Sequence, residues 1–499
     1  MLVIGENKLN HINKLLLLDF AQAIIFASTC ASRTNNPHQI VERTMGSKSL
    51  AERDIASVIH PYTNLKKHLD LGPVVITHGE GVYLYGEDGR RLLDGAAGQW
   101  CSSLGYGKAN ERIAKVAYDT LIQLPYSHIF RHQTHKSVVE LSERLLARAP
   151  VPMAKVMLQC SGSEANDTAV KMAWYYWASK DQPQRRKMIS RMGSYHGSTV
   201  ATLSLTGNTD YYRGFGMPLP GFLKVSGLNH YRNGLPGETE TEFTDRLVKE
   251  LEDLILAEGP DTIAAFFADP VQGNAGALPP PVGYFDKVQK VLRKYDILFV
   301  ADEVICGFGR AGEWWGCQRY GIEPDIITSA KGLSSAMQPI SAVLVNEKVF
   351  QGIATESDRL GSFIHGFTYA GHPVTTAVTN EVLRIYEELD IVGHVQRLEP
   401  HFLQILESFR DHPLIGHVSG VGLLGGLEMV MNKADKTAFP KSFGLAPKIE
   451  AAARKHGVLV RVIADRLVFA PPLIITVEEL DLLASGARKA LDDVYAEIG

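Results

Sequence analysis

The chain has 499 residues, 45% of them hydrophobic and 21% charged, with a formal net charge of -4. That length supports two or three domains around a substantial core, and the small, dispersed charge carries no footprint for nucleic acid. Five cysteines (Cys30, Cys101, Cys160, Cys306 and Cys317) are widely spaced, odd in number and without a CxxC pair. This argues against a disulfide framework or thiolate metal site and suits a reducing compartment, the cytoplasm.

Residues 1–44 stand apart. Leu15 to Ala27 is apolar and follows Lys8 and Lys14, but Asp19 interrupts it and it is too short to span a bilayer. It reads as an extension from an upstream start codon, with Met45 the working start, or as a poorly conforming targeting segment. Either way it is expected to be disordered and is set aside from fold reasoning, and no membrane association is expected.

From about Asp54, short apolar runs alternate with longer amphipathic ones. Strands are predicted at Gly81–Tyr85, Lys155–Leu158, Lys187–Ser190, Ile263–Ala268, Ile297–Ala301, Asp325–Thr328 and Ala342–Asn346. Helical periodicity covers Glu164–Trp177, Thr244–Glu258 and Val282–Tyr295 between them. That alternation implies an α/β fold with a mostly parallel sheet covered by helices on both faces. Beyond Pro373 come helices Val374–Leu389 and Val395–Phe409, then strand-like Val418–Met429 and Leu467–Phe469, a smaller α+β domain. The run Pro279–Pro281 is a local stop rather than a linker.

Asp302 ends the apolar stretch in ILFVADEVICGFGR, at the carboxyl end of a predicted strand, where open α/β sheets bind ligands. A desolvated carboxylate there needs a cationic partner, although alone it serves equally well as a buried cap. Lys331 follows another predicted strand in PDIITSAKGLSS, flanked by small residues. On its own it reads as a surface lysine. Together the two supply what pyridoxal phosphate (PLP) requires: an amine for a Schiff base and a carboxylate that keeps the pyridine nitrogen protonated. An ion pair at roughly 4 Å and effective ε of about 20 is worth ~4 kcal/mol, or about three pK units. The phosphate finds a home at Ser161, Gly162 and Ser163, where a small-residue turn opens a helix, although plain N-capping explains the same residues. Tyr195, in GSYHGST, could stack on a flat cofactor.

With these residues in view, the order and spacing of motifs resemble the class III (ornithine/ω-amino-acid type) aminotransferases of PLP fold type I, from His60 onward. The matching segments are HPYT (60–63), DGAAGQWC (94–101), GYG (105–107), SGSEAND, YHGS, DPVQG (269–273), ADEVICGFGR, PDI with SAKG, HGFTYAGHP (365–373), and LVRV with APPL (459–473). The resemblance implies a large PLP-binding domain over 93–370, with a small domain formed by 45–92 and 371–499. It implies that Lys331 carries the Schiff base and transfers protons, and that Asp302 partners the pyridinium. Val304 and Tyr195 would sandwich the ring. Gly162, Ser163 and His196 would complete the cofactor site, with Thr368 reaching the phosphate across a homodimer interface. Tetramer versus dimer stays open.

Among class III enzymes the chain looks most like the amine (ω):pyruvate transaminases. There the counterparts of Tyr62, Trp100 and Phe130 line the amine pocket, Phe130 coming from the other subunit. Arg461, in GVLVRVIAD, matches the substrate-carboxylate arginine. In the ornithine and GABA transaminases a glutamate gates that arginine, and here its position is Asn274. The resemblance thus implies an Arg461 that grips a keto acid such as pyruvate and swings away for an amine lacking a carboxylate. Arg131 beside Phe130 leaves an acidic or polyhydroxylated donor open, and Asp269 stands where the family usually has Glu. The expected reaction moves an amino group from an (S)-amine or ω-amino acid to pyruvate by way of pyridoxamine phosphate. The rivals are a decarboxylating transaminase or aminomutase on the same scaffold, and a non-catalytic PLP-binding dimer.

Overall fold

The computed structural model describes residues 48–498; the segment 1–44 lies outside them. Two compact units meet in sequence at Ile76 and Thr77. In the first, helices Leu50–Ser57 and Leu65–Leu71 are joined by a turn carrying Tyr62. The Asp54 carboxylate staples the unit, accepting from His60 Nε2 at 2.8 Å and His68 Nε2 at 3.2 Å.

The second unit is built on a seven-stranded sheet. In chain order its strands are β1 (Lys155–Gln159), β2 (Lys187–Arg191), β3 (Phe222–Val225), β4 (Ile263–Ala268), β5 (Leu298–Asp302), β6 (Ile326–Ser329) and β7 (Ser341–Val345). Their spatial order is β1-β7-β6-β5-β4-β2-β3. Strand β7 runs antiparallel to both neighbours, and the remaining pairs are parallel. Every residue of β4, β5, β6 and β7 is buried, as a sheet with both faces covered requires. Phenylalanines such as Phe266 and Phe267 anchor the two faces, each contributing about 1.5–3 kcal/mol by burial. Parallel register sets Ala268 beside Ala301 and Asp302 beside Thr328. The carboxyl ends of β4, β5 and β6 therefore align at one edge of the sheet, the edge at which such sheets bind ligands.

Helix α1 (Gly162–Ser179) leaves β1 at that same edge. Ser161 caps it by accepting from the Glu164 N–H, and Glu164 accepts in return from the Cys160 N–H at 2.8 Å. Its buried face runs from Ala165 and Asn166 to Trp177, whose Nε1 donates to Ala264 O on β4.

The C-terminal region departs from expectation in detail. The single predicted strand Val418–Met429 is a hairpin, Ile415–Val421 with Leu424–Met429, because the chain turns at Gly422 and Leu423. It pairs with Arg466–Phe469, which pairs with Arg461–Ile463 in a four-stranded antiparallel sheet. The predicted strand Gly81–Tyr85 starts two residues late, at Tyr83, since Gly81 lies in the turn after Ile76–Glu80. Edge strand β3 and the last helix, Val477–Ala496, were not anticipated; a Thr476–Glu479 capping box opens that helix. Among the described residues no helix is long and apolar enough to cross a membrane.

Candidate active site

A cavity of about 140 Å³ opens at the carboxyl edge of the sheet, and Lys331 and Asp302 both line it. So do Gly162, Ser163, Tyr195, His196 and Val304. Seven of the residues read from the sequence thus come together at one point, contributed by segments scattered over 170 positions from Gly162 to Lys331. Ser161 stands just outside as the cap of α1.

Asp302 is 4% exposed and is held by three donors. Oδ2 accepts from Asn166 Nδ2 at 2.8 Å and His196 Nδ1 at 2.7 Å, while Oδ1 accepts from the Val304 N–H at 3.0 Å. Because a carboxylate only accepts, His196 carries its proton on Nδ1 in this pairing. Asn166 is itself buttressed. It donates also to His196 O and accepts from Thr328 Oγ1, both at 2.8 Å. Sequence reasoning quoted Asn166 inside SGSEAND without giving it a role. The signal was there: asparagine is a poor choice for a buried helix interior unless its side chain has fixed partners.

Lys331 directly follows Ala330, beyond the end of β6, in a left-handed backbone conformation (φ 46°). A non-glycine residue held there stores strain of the kind found at functional sites. Burial pushes its ammonium below the usual lysine range; the Asp302 charge opposes that shift and Arg461 adds to it. An amine so placed loses its proton more readily and becomes a nucleophile or base. Lys331 and Asp302 make no direct ion pair, and both line the same cavity.

The opposite requirement, a cradle for an anion, is met at the start of α1. A Cβ on Gly162 would lie 3.1 Å from both Val304 methyls. One on Gly197 (φ 142°) would lie 2.3 Å from Thr202 Oγ1 and 2.7 Å from Ser163 Oγ. Glycine at both positions keeps this space open at the start of an 18-residue helix, where an anion is favoured. Asp269, also in the cavity wall, accepts from Arg191 Nη2 at 2.8 Å and Ser194 Oγ at 2.6 Å. The shortened carboxylate is therefore tied into a buried ion pair. Gln272 extends the network, donating to Ser194 Oγ and Met192 O and accepting from the Leu228 N–H.

Trp100 belongs to an apolar cluster with Ile305, itself a wall of the cavity. The Arg461 guanidinium sits over the indole, 4.7 Å from the ring centroid, a cation–π contact, and Nη1 donates to Gln99 Oε1. Asn274 stands at the position where the resemblance puts the gating glutamate of the ornithine and GABA transaminases. It lines a separate cleft of about 490 Å³ together with Arg232, Glu428 and Arg466, and its buried Nδ2 has no protein partner.

Thr368 and Phe130 do not line the cavity of their own chain. They lie together on an exposed surface, where Tyr126 Oη donates to Thr368 O and the Phe130 ring packs on Gly366. Ile364 (90% exposed) and Tyr369 (66%) widen this apolar patch, and Arg131 is exposed beside it. Tyr62 is in the first unit and is 70% exposed.

The model of the family "aminotransferase class-III" matches residues 65–491. This chain belongs to the class III aminotransferases. A gamma aminobutyrate transaminase 3 (chloroplastic) of Solanum lycopersicum is 46% identical over 438 residues, covering 87% of this chain and 84% of that protein. A mitochondrial gamma-aminobutyrate transaminase 1 of Oryza sativa subsp. indica is 44% identical over 445 residues, covering 88% and 86%. Among solved structures, an omega transaminase of Pseudomonas jessenii in complex with PMP superposes with a TM-score of 0.89 at 46% identity, over 91% of this chain and 99% of that one. A transaminase with L-Ala gives 0.83 at 43% identity, over 85% and 100%. The class III cofactor is PLP, and the cavity fits it: a glycine-lined cradle for phosphate, a braced carboxylate and a desolvated amine.

Proposed function

We propose that this PLP-dependent class III aminotransferase moves an amino group from a primary amine or ω-amino acid to pyruvate. The observation that carries the reading is Arg461 resting on Trp100 at 4.7 Å, a cation laid over an apolar wall. One site then accepts a keto acid through its carboxylate and an amine through its uncharged tail. The plant relatives named for gamma-aminobutyrate support ω-amino acids as donors, since such a substrate carries a carboxylate remote from its amine.

Bound PLP supplies an aldehyde that takes up amines and a protonated ring that accepts an electron pair. Lys331 anchors it through Nζ and moves a proton at the donor carbon. Asp302, held by Asn166 and His196, keeps a proton on the pyridine nitrogen. Gly162 and Ser163 hold the phosphate, Val304 and Tyr195 the ring faces. Trp100 excludes water, and Arg461 binds and orients the carboxylate. Phe130 and Thr368, on their exposed patch, would complete the site of a second copy, making the enzyme a homodimer with shared sites. Unpaired cysteines fit a reducing compartment, and we propose the cytoplasm; relatives named for mitochondria and chloroplasts make fractionation the test.

The deciding experiment presents a panel of neutral amines and ω-amino acids with pyruvate or 2-oxoglutarate and scores alanine and glutamate. Alanine from pyruvate is expected. Glutamate without alanine would overturn the acceptor. Release of carbon dioxide, or an isomerised product without net transfer, would overturn the reaction in favour of a decarboxylating enzyme or an aminomutase.

A further inference from the structure

We infer that Gln99 is the positioning residue that sets Arg461 for the acceptor's carboxylate, and that its neutrality tunes which acceptors bind. The inference rests on the reading that Arg461 is the carboxylate site. Gln99 and Trp100 are consecutive, yet both touch one guanidinium: Gln99 through its amide oxygen and Trp100 through its ring face. Neighbours in an ordinary helix point about 100° apart, so this convergence needs an irregular backbone.

The chain supplies one. Ala97 (φ 43°), Gly98 (φ 67°, ψ -101°), Gln99 (φ -121°, ψ 53°) and Trp100 (φ 64°) form a turn without helical dihedrals at its centre. Asp94 clamps it, accepting from the Ala96 N–H at 2.9 Å, the Gly98 N–H at 2.8 Å and Tyr106 Oη at 2.6 Å. Strain of this kind persists only where the surroundings over-determine it. Here it delivers an amide acceptor and an aromatic face to one cation.

A neutral acceptor takes one guanidinium N–H without adding charge, whereas a carboxylate at the same position would add a negative charge beside it. Gln99→Glu therefore sets up a competitor for the acceptor's carboxylate. Gln99→Met keeps the length and removes the amide oxygen. Hydrogen bonds to charged groups contribute about 1.5–3 kcal/mol, so Gln99→Glu should raise the pyruvate KM about 10- to 100-fold. Gln99→Met should raise it by less, roughly 3- to 10-fold, since it removes the positioning bond without adding a competing charge. In both, kcat at saturating pyruvate and the KM of a neutral amine should stay within about twofold, the pattern for an interaction made equally in ground and transition states.

Propionate, which binds without reacting, supplies a second readout on the holoenzyme by calorimetry. Its Kd should follow the order wild type, Met variant, Glu variant. Unchanged propionate affinity in both Gln99 variants, with affinity lost in Arg461→Ala, would overturn the role of Gln99 alone. Unchanged affinity in Arg461→Ala would instead overturn the carboxylate site on which the inference stands. A fall in kcat with no change in either KM would mean that Gln99 is merely structural.

Discussion

Replacing Asn166 by alanine tests the bracing of Asp302 without touching either proposed catalytic group. The substitution removes one of the three donors on Asp302 and strands two further groups, Thr328 Oγ1 and His196 O, that Asn166 now satisfies. A hydrogen bond to a charged group contributes about 1.5–3 kcal/mol. Two stranded polar groups cost about 1–3 kcal/mol each unless water enters, and the gain in helix propensity returns well under 1 kcal/mol. The apoprotein should lose about 3 kcal/mol of stability. Because Asp302 keeps two donors, the cofactor should still bind, but about 10- to 100-fold more weakly. Titrating the apoenzyme with PLP under native conditions, followed by intrinsic fluorescence, measures this directly. Thr328→Val, which removes only the buttress behind Asn166, should weaken binding by less than tenfold. An Asn166→Ala protein that remains folded and binds PLP within twofold of wild type would refute the bracing argument.

Three further outcomes are expected. Lys331→Ala should remain folded and lose turnover, and borohydride reduction of the wild-type holoenzyme should label the Lys331 peptide alone; a label elsewhere would refute the assignment. Mixing Lys331→Ala with a Thr368→Trp variant that is inactive alone should restore roughly a quarter of wild-type activity. Half the dimers are then mixed, and each carries one site with both native residues; no recovery would argue against shared sites. Glu303, fully buried beside Asp302, has its carboxyl pushed up to about 7 by burial, against the pull of the Gly316 and Cys317 N–H groups. Its folded pKa lies above the ordinary 4.5, so the native state binds more protons in that window and stability falls as pH rises through it. Relative to Glu303→Gln, wild type should lose roughly 3 kcal/mol between about pH 4.5 and 7, read from urea midpoints. A pH-independent difference would contradict it.

How far the site could be read from the sequence follows from how each residue is placed. Asp302 and Lys331 sit at or just beyond strand ends, and an apolar run broken by one polar residue reveals a strand end locally. Once several strands are parallel, their ends share an edge, so topology alone converges Ser163, Asp302 and Lys331 on one cavity. Asn166 was quoted but not understood, since its role depends on which face α1 turns toward β5 and β6. The hairpin at Gly422 was missed because both of its strands carry apolar residues and the turn between them is short.

The gate of Arg461 shows where pattern reading ends and geometry begins. The resemblance puts Asn274, without a carboxylate, at the gating position, and its side chain lines the cleft with Arg232, Glu428 and Arg466. Gln99, more than 350 positions from Arg461, hydrogen-bonds it from a turn whose dihedrals no periodicity encodes. The turn's sequence carries its signal: Asp94 at a strand end, then three small residues (Gly95, Ala96 and Ala97) and Gly98 ahead of Trp100, a glycine-bearing bend with an acceptor at its start. Charge at a specificity site is thereby set by a residue that need not contact the acceptor. On the reading proposed above, a neutral amide at position 99 holds Arg461 beside Trp100 without adding a negative charge next to the guanidinium. The proposed preference for a small keto acid over a bare amine would then rest on charge at Arg461, and the propionate titration of the Gln99 variants measures that directly.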